Sequence, residues 1–364
     1  MKFQNRIIAP LLSVAILVTA LSSCSSGFDD DDDDKDNTTQ TDDKTDVTDN
    51  SDKSCPYAFD NSSIQVYANA LNMVHVKAAI LPTADELPDQ SPEVTLLFST
   101  STDSKSFKEA DYATSILAET NDNVDIYADK FGKQGTTYNA RLRLTVGDTK
   151  CTSQVFRIQI PTLPEAQKQE LNAVDLGLSV LWADRNLGAE ADTSVGSYFS
   201  WGELTSKDSY TPENYAHNGI DLDMFINDSI SARPNLDVAL ESAGDGWRLP
   251  TYDEVRELYK SCSWAGKNIR GEIAGLRFSA NGNSIILPCA GIRVEDRVVH
   301  NDEFTGFITG KVSGYYMTGT MGQESDVICS LIFTMMTNGK GEGISVSKNE
   351  DAWMGFSVRP VKDR

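Results

Sequence analysis

The side chains with the widest chemical reach in this sequence are its cysteines and histidines, and their spacing gives little support to catalysis. There are six Cys and three His. Cys262, Cys289 and Cys329 each stand alone, without the C-x-C or C-x-x-C spacing of a thiolate metal site. His217 and His300 fall in separate polar stretches, where a metallohydrolase would cluster them. His75 is isolated, which fits a surface or core residue better than a ligand. No glycine-rich phosphate loop and no G-x-S-x-G turn is present. A pair of carboxylates for glycosidic cleavage leaves no sequence signature, so that one class stays open. The expectation is a protein that is not an enzyme.

Residue types suited to recognition gather instead in 204–235, a polar stretch with little periodicity that reads as a loop. It offers Tyr210, Tyr215, His217, Asp221, Asp223 and Phe225, which together supply aromatic faces and hydrogen-bonding tips. Asp221 and Asp223 are the calcium candidates, because carboxylate oxygens suit that hard cation. The competing reading is a solvated acidic loop, and no other cofactor is expected. Trp182, Trp201, Trp247 and Arg248 would make a sugar platform, but their regular packing context reads as core. Glu203 and Arg248 are expected to form an internal ion pair.

The element that would position these groups is a helix over 252–262. Thr251 can cap it, and Glu254 three residues on completes a capping box. Val255, Leu258, Tyr259 and Cys262 then recur at i, i+3, i+4 and i+7, giving one apolar face. Asp253, Glu254, Arg256 and Glu257 take the other. Around it lie short strands: a strand, Gly turn and strand in 173–183, a hairpin over 278–287 turning at Asn281-Gly282, and strands at 314–318, 328–337, 344–347 and 355–360. Asn281-Gly282 suits a type I′ turn, and Asn338-Gly339 reads as another hairpin turn. Few helices among many short strands predict an α+β domain over 172–364.

Upstream, in 54–162, the period is two. Tyr138, Ala140, Leu142, Leu144 and Val146 alternate with polar residues, the pattern of a half-buried strand. Gly147-Asp148 turns the chain, and Phe156, Ile158 and Ile160 alternate on the return. Earlier strands are expected at 63–70, 73–81, 94–100, 114–118 and 124–127. Seven or so strands in this length predict an all-β sandwich. Val94-Thr95-Leu96-Leu97-Phe98-Ser99-Thr100-Ser101 with Thr137-Tyr138-Asn139-Ala140-Arg141 resembles immunoglobulin-like and fibronectin-type-III modules, and Tyr138 is placed like a tyrosine corner. Cys55 and Cys151 would begin the first and last strands at the same end of the sandwich. An oxidising compartment permits a disulfide there, and two separate thiols are the alternative. Closing so long a loop is worth about 4 kcal/mol in the chain-entropy model. Pro161-Thr162-Leu163-Pro164 marks the boundary, and 163–171 is a linker.

The start of the chain carries an address. Lys2 and Arg6 precede an apolar run over 7–21, too short for a membrane span. Leu21-Ser22-Ser23-Cys24 resembles a bacterial lipobox, which implies a signal peptide over 1–23, cleavage before Cys24 and acylation of that residue; an ordinary signal peptide is the alternative. Several acyl chains anchor stably where one does not. Six consecutive Asp follow at 29–34, and 24–53 reads as a disordered acidic tether. Within 28–53, twelve Asp against three Lys contribute a net −9 to the chain's −22. The remainder is still acidic, which argues against nucleic acid as a partner. An acidic patch after a lipidated Cys resembles the surface-export signal of Bacteroidota lipoproteins, and Ser25 fits outer-membrane sorting. The expected location is the outer face of the outer membrane, with an inward-facing periplasmic anchor as the alternative.

Within 172–364 the resemblance is specific. Val174-Asp175-Leu176-Gly177-Leu178-Ser179-Val180 with Trp182-Ala183, Tyr198-Phe199-Ser200-Trp201-Gly202-Glu203, Gly246-Trp247-Arg248-Leu249-Pro250-Thr251, Gly282-Asn283-Ser284-Ile285-Ile286-Leu287-Pro288 with Ala290-Gly291, and Gly355-Phe356-Ser357-Val358-Arg359-Pro360 occur in order. This resembles the major paralogous domain family first named from Fibrobacter succinogenes. The resemblance implies a C-type-lectin-like fold, related in architecture to formylglycine-generating enzymes, and no settled activity. Those enzymes use a copper-binding cysteine pair, and no such spacing is present here; Cys289 could pair with Cys262 or Cys329. Where the family often has Tyr-Tyr-Trp-Ser-Ser, this chain has Tyr315-Tyr316-Met317-Thr318-Gly319. Asp228-Ser229-Ile230 matches the Bacteroidota O-glycosylation pattern at Ser229. The functional expectation is adhesion or carbohydrate binding by a surface lipoprotein, its partner a glycan or extracellular protein. The alternative is a structural or fimbria-associated component that binds other envelope proteins.

Overall fold

The computed structural model describes residues 55–364, apart from 85, 87–89, 101–105, 112, 119–121, 245, 270–271, 301–310, 325 and 337–340. The expected leader, Cys24, the acidic tether and the Asn338-Gly339 turn lie outside the described residues. Residues 52–364 cluster as one compact unit. It is mostly β, in several small sheets, none of them closed.

The N-terminal half contains β1 (Tyr57–Ala68), β2 (Val74–Pro82), β3 (Glu93–Ser99), β4 (Lys108–Glu109), β5 (Ala113–Leu117), β6 (Asn123–Ala128), β7 (Thr137–Val146), β8 (Thr149–Thr152) and β9 (Phe156–Gln159). One antiparallel sheet has the order β1-β2-β6-β5 and the other β4-β3-β7-β8, with β9 also on β7. They share one core, in which Val76, Leu96, Ile126, Ala140, Leu142, Leu144 and Ile158 are buried. The period of two in β7 sends Tyr138, Ala140, Leu142, Leu144 and Val146 inward. Lys133 N–H donates to the Tyr138 hydroxyl at 2.8 Å, tying β7 to the backbone just upstream. The expected single return strand is two: β8 pairs with the end of β7, and β9 pairs with its start. They part at Ser153, whose Oγ accepts the Leu142 N–H at 2.9 Å. A disulfide joins Cys55 to Cys151, which lies in β8 rather than in the last strand.

The C-terminal half opens with β10 (Ala173–Val174), β11 (Leu181–Ala183) and β12 (Tyr198–Phe199). Next come α1 (Val238–Ala243), β13 (Trp247–Arg248) and α2 (Tyr252–Ser261). They are followed by β14 (Ser263–Ile269), β15 (Glu272–Ala280), β16 (Asn283–Pro288), β17 (Ile292–Val294), β18 (Arg297–Val299), β19 (Lys311–Met321), β20 (Val327–Met336), β21 (Gly341–Asp351), β22 (Phe356–Ser357) and β23 (Val361–Lys362). The largest sheet here runs β12-β22-β19-β20-β21, flanked by β10-β11-β23-β13 and β14-β15-β16. Asn281 and Gly282 both have positive φ, as a type I′ turn between β15 and β16 requires.

Helix α2 forms as its capping box predicts. Thr251 Oγ1 accepts the Glu254 N–H, and Glu254 Oε2 accepts the Thr251 N–H at 2.8 Å. Its Val255 and Leu258 enter a core shared with Trp182, Phe278 and Phe333. The ion pair expected between Glu203 and Arg248 is not formed. Arg248 grips Glu254 of the capping box, and Glu203 takes Lys207 and the Ala216 N–H. Each acid is met by a nearer donor on its own loop or turn. Helix α1 lies outside the expected elements; Asp237 caps it through the N–H groups of Ala239 and Leu240.

Several quoted motifs converge on Arg359. Its guanidinium is buried without a carboxylate, donating to Asn186 Oδ1 (2.8 Å), Ala183 O (3.0 Å) and Ile286 O (2.5 Å). Asn186 Nδ2 donates in turn to the Tyr316 hydroxyl, which donates to Pro288 O. One planar donor fork thus ties together three separate chain segments.

The two halves meet along a seam. Tyr67, Leu71 and Met73 of the sandwich and Leu163 of the linker pack on the core that contains Trp201, Tyr215 and Phe225. Asn69 Nδ2 reaches His217 Nδ1 at 3.1 Å, and His75 Nδ1 reaches Gly219 O at 2.5 Å.

Candidate functional site

The stretch 204–235 is not the open loop its composition suggests. Tyr210, Tyr215, His217 and Phe225 are all buried. Tyr210 donates to Tyr198 O at 2.5 Å, and Tyr215 donates to Trp201 O at 3.0 Å. Phe225 packs edge-on against Trp201. Burial pushes the Tyr210 phenol up to about 12 and the Tyr215 phenol well above its ordinary range. The reason is apolar area: Ile220 and Leu222, before Phe225, and Ile230 and Leu236, after it, bury in one core with Tyr215 and Phe225. Those interspersed aliphatics were the available signal. As ligand contacts, Tyr210, Tyr215 and Phe225 are therefore corrected to core residues, while His217, at the seam, lines a second pocket of about 190 Å³ with Glu203 and Lys207.

Asp221 and Asp223 do reach solvent. Asp221 Oδ1 is engaged by the Asp223 N–H at 2.8 Å, a local turn. Burial, then the nearby Asp223, Asp221 and Asp351, raise the Asp326 carboxyl. Among the described residues, no group of three or more His, Cys, Asp or Glu is placed to hold a metal ion. Trp182, Trp201 and Trp247 are buried, in line with the core reading. Cys262, Cys289 and Cys329 are free thiols, so neither pairing of Cys289 is formed. Tyr315, Tyr316 and Met317 are buried as well, which removes that run from any sugar-stacking surface.

The structure places a polar pocket of about 330 Å³ at the N-terminal end of α2, walled in part by residues 227–229 of the 204–235 stretch. Its lining comes from five segments: Asn227, Asp228 and Ser229; Thr251, Tyr252 and Asp253; Thr320 to Gln323 after β19 bends; Cys329 of β20; and Lys348 of β21. Backbone pairing fixes this geometry. Asn227 N–H donates to Gly322 O, and Met321 N–H donates to Asp228 O at 3.0 Å. Tyr252 N–H donates to Thr320 Oγ1 at 3.0 Å, holding the start of the helix against the strand. The Lys348 ammonium lies 4.5 Å from the centre of the Tyr252 ring. Asp228 pairs with Arg233 and accepts the Ser229 N–H at 2.7 Å. The Ser229 hydroxyl lies 2.8 Å from Ser231 Oγ and accepts the Ser231 N–H, so the expected O-glycosylation position is half-buried in a turn.

Of the residues singled out from sequence for binding or modification, Asp228 and Ser229 line this pocket. Asn227, Tyr252, Asp253, Gln323 and Lys348 were not singled out as ligand contacts, because they are brought together from segments up to 121 residues apart. The pocket can donate and accept hydrogen bonds from hydroxyls, amides and a carboxylate around one aromatic ring. Its thiol, Cys329, is pushed up by burial despite the nearby Lys348. No protein-family model matches the chain, and no curated protein matches it in sequence.

Proposed function

We propose that this chain is a lipid-anchored, surface-facing envelope protein whose C-terminal half recognises a glycan or extracellular macromolecule without chemically altering it. The reading takes the N-terminal half as an immunoglobulin- or fibronectin-type-III-like spacer and the C-terminal half as a C-type-lectin-like head. The observation that carries it is the polar pocket at the start of α2, where Tyr252 sits among Asn227, Asp253, Thr320 and Gln323. Neutral saccharides are held by this combination of amide, hydroxyl and carboxylate groups beside an aromatic ring.

The test is binding of the full chain, in detergent, to a broad glycan and matrix-protein array with and without calcium. A specific signal that falls at least tenfold in Tyr252→Ala and Asn227→Ala supports the reading. A blank array with a folded protein sinks it. A second reading, attachment to another envelope protein, is favoured by β14. It is an edge strand of its sheet, and Trp264 on it is exposed. Such an edge can accept a partner strand. Crosslinking on intact cells that maps to 263–269 would favour that reading over the first.

A further inference from the structure

The seam between the two halves is built on two histidines with opposite proton requirements. Asn69 has a fixed orientation, because its Oδ1 accepts the N–H groups of Leu71 (3.0 Å) and Met73 (3.1 Å). Its Nδ2 therefore faces His217 Nδ1 as a donor, at 3.1 Å. His217 must accept there and carry its proton on Nε2, which lies 3.2 Å from Gly202 O. His75 is arranged the other way. Nδ1 meets the carbonyl of Gly219 at 2.5 Å, and Nε2 meets Asp125 Oδ1 at 2.8 Å. Both partners can only accept, so both ring nitrogens must carry protons to make both bonds.

We propose that this joint is a protonation-dependent clasp, closed while His75 carries both ring protons and His217 carries only one. The surroundings are consistent with those states. His75 is buried between the Tyr127 and Tyr67 rings, at 4.2 and 5.7 Å. The charged groups about it are Asp125 and Lys77, which is 3.7 Å from the same carboxylate oxygen. Asp221 and Asp223 add to the acidic field there, which together with burial raises the Tyr127 phenol. His217 is buried edge-on to Tyr215. Burial holds its imidazole below the usual range, with Glu203 opposing that shift and Lys207 adding to it. A group depressed in this way contributes stability above the ordinary histidine value of about 6.5 and loses it as pH falls through the folded value. A proton arriving on His217 Nδ1 would point at an amide that cannot turn away. A proton leaving His75 would cost one of its two bonds. Acid opens one half of the clasp and base the other.

The clasp is tested on the full chain by imidazole nitrogen NMR, with small-angle scattering in parallel, from about pH 8 down to about pH 4. In the closed state His75 is expected to show two protonated nitrogens and His217 only Nε2–H. As His217 gains its second proton, the maximum dimension should grow while the methyl signals of both cores persist. The variant His217→Gln, which cannot titrate, should lose the acid-driven growth. A singly protonated His75 in the compact state overturns the proposal. So does an unchanged dimension throughout the titration of His217, or growth that persists in His217→Gln. Should that variant fail to fold, the ring-proton assignments and scattering of the unaltered chain decide the matter alone.

Discussion

Arg248 holds Glu254 through two bonds, Nη1 to Oε2 at 2.9 Å and Nη2 to Oε1 at 2.6 Å. The same carboxylate closes the capping box of α2. One residue of β13 therefore fixes both the direction in which α2 begins and the carboxylate that caps it. Lysine keeps the charge but cannot reproduce the fork. Arg248→Lys is expected to lower stability by about 1–2 kcal/mol, measured by urea unfolding. A loss as small as that of a surface substitution would show that the fork does not matter.

Glu254 also gives a pH dependence with a definite sign. Burial pushes its carboxyl up, but Arg248 and the Thr251 N–H together outweigh this and hold it below the usual range. A carboxyl depressed in the fold contributes stability above its unfolded value of about 4.3 and loses it as pH falls through the folded value. The acid limb of the stability curve should therefore flatten in Glu254→Gln, at the cost of lower stability near neutrality. An unchanged acid limb would contradict the assignment.

Among the described residues Arg359 makes no hydrogen bond to a carboxylate, although Asp184 and Asp192 act on it through space. Burial lowers it to about 10, and backbone carbonyls and Asn186 are its only acceptors among the described residues. Replacing it by Met leaves three buried acceptors short of a donor. The expected loss is on the order of 3–5 kcal/mol. Arg359→Lys should recover only part of this, since one ammonium cannot reach three diverging acceptors. Chemical denaturation of both variants reads the ranking, and a Met variant as stable as the parent would refute it.

The disulfide offers a separate check on the N-terminal half. Cys55 and Cys151 are 96 residues apart, so the bond restricts a long loop in the unfolded chain. The paired change Cys55→Ser with Cys151→Ser should cost on the order of 4 kcal/mol in the chain-entropy model. Adding reductant to the parent should lower its unfolding midpoint by a similar margin and leave the variant unmoved. A reductant effect that persists in the variant would assign the stabilisation elsewhere.

What the sequence disclosed divides along physical lines. Helix α2 was legible because cap, box and apolar stripe are local and agree. Strand β7 was legible because one face is buried along its whole length. The Tyr210 to Phe225 region was misread because low periodicity resembles a solvent loop, although its aliphatic residues were numerous enough to bury it. The pocket was not legible at all: Asn227, Tyr252, Gln323 and Lys348 acquire meaning only once strand bends bring them together. The joint was equally hidden, since nothing in the sequence pairs Asn69 with His217 or His75 with Gly219.

Gly219 provides the last prediction. Its φ is +71°, and a Cβ there would lie 2.3 Å from a ring carbon of Tyr67 across the seam. Gly244, the residue closing α1, has φ +83° but open space around it. Alanine at either position takes on positive-φ backbone strain of about 1–3 kcal/mol, and Gly244, with ψ −169°, lies in a region kept almost wholly to glycine. Only at 219 does it also collide with the opposite half. At Gly219→Ala that collision should add about 1–3 kcal/mol to the backbone strain. Shortening the obstructing ring with Tyr67→Ala should recover part of that excess, giving a coupling energy of about 0.5–3 kcal/mol in a double-mutant cycle. The same Tyr67→Ala change combined with Gly244→Ala should be additive. No coupling to Tyr67 would mean that the two halves do not bear on each other at this point in solution.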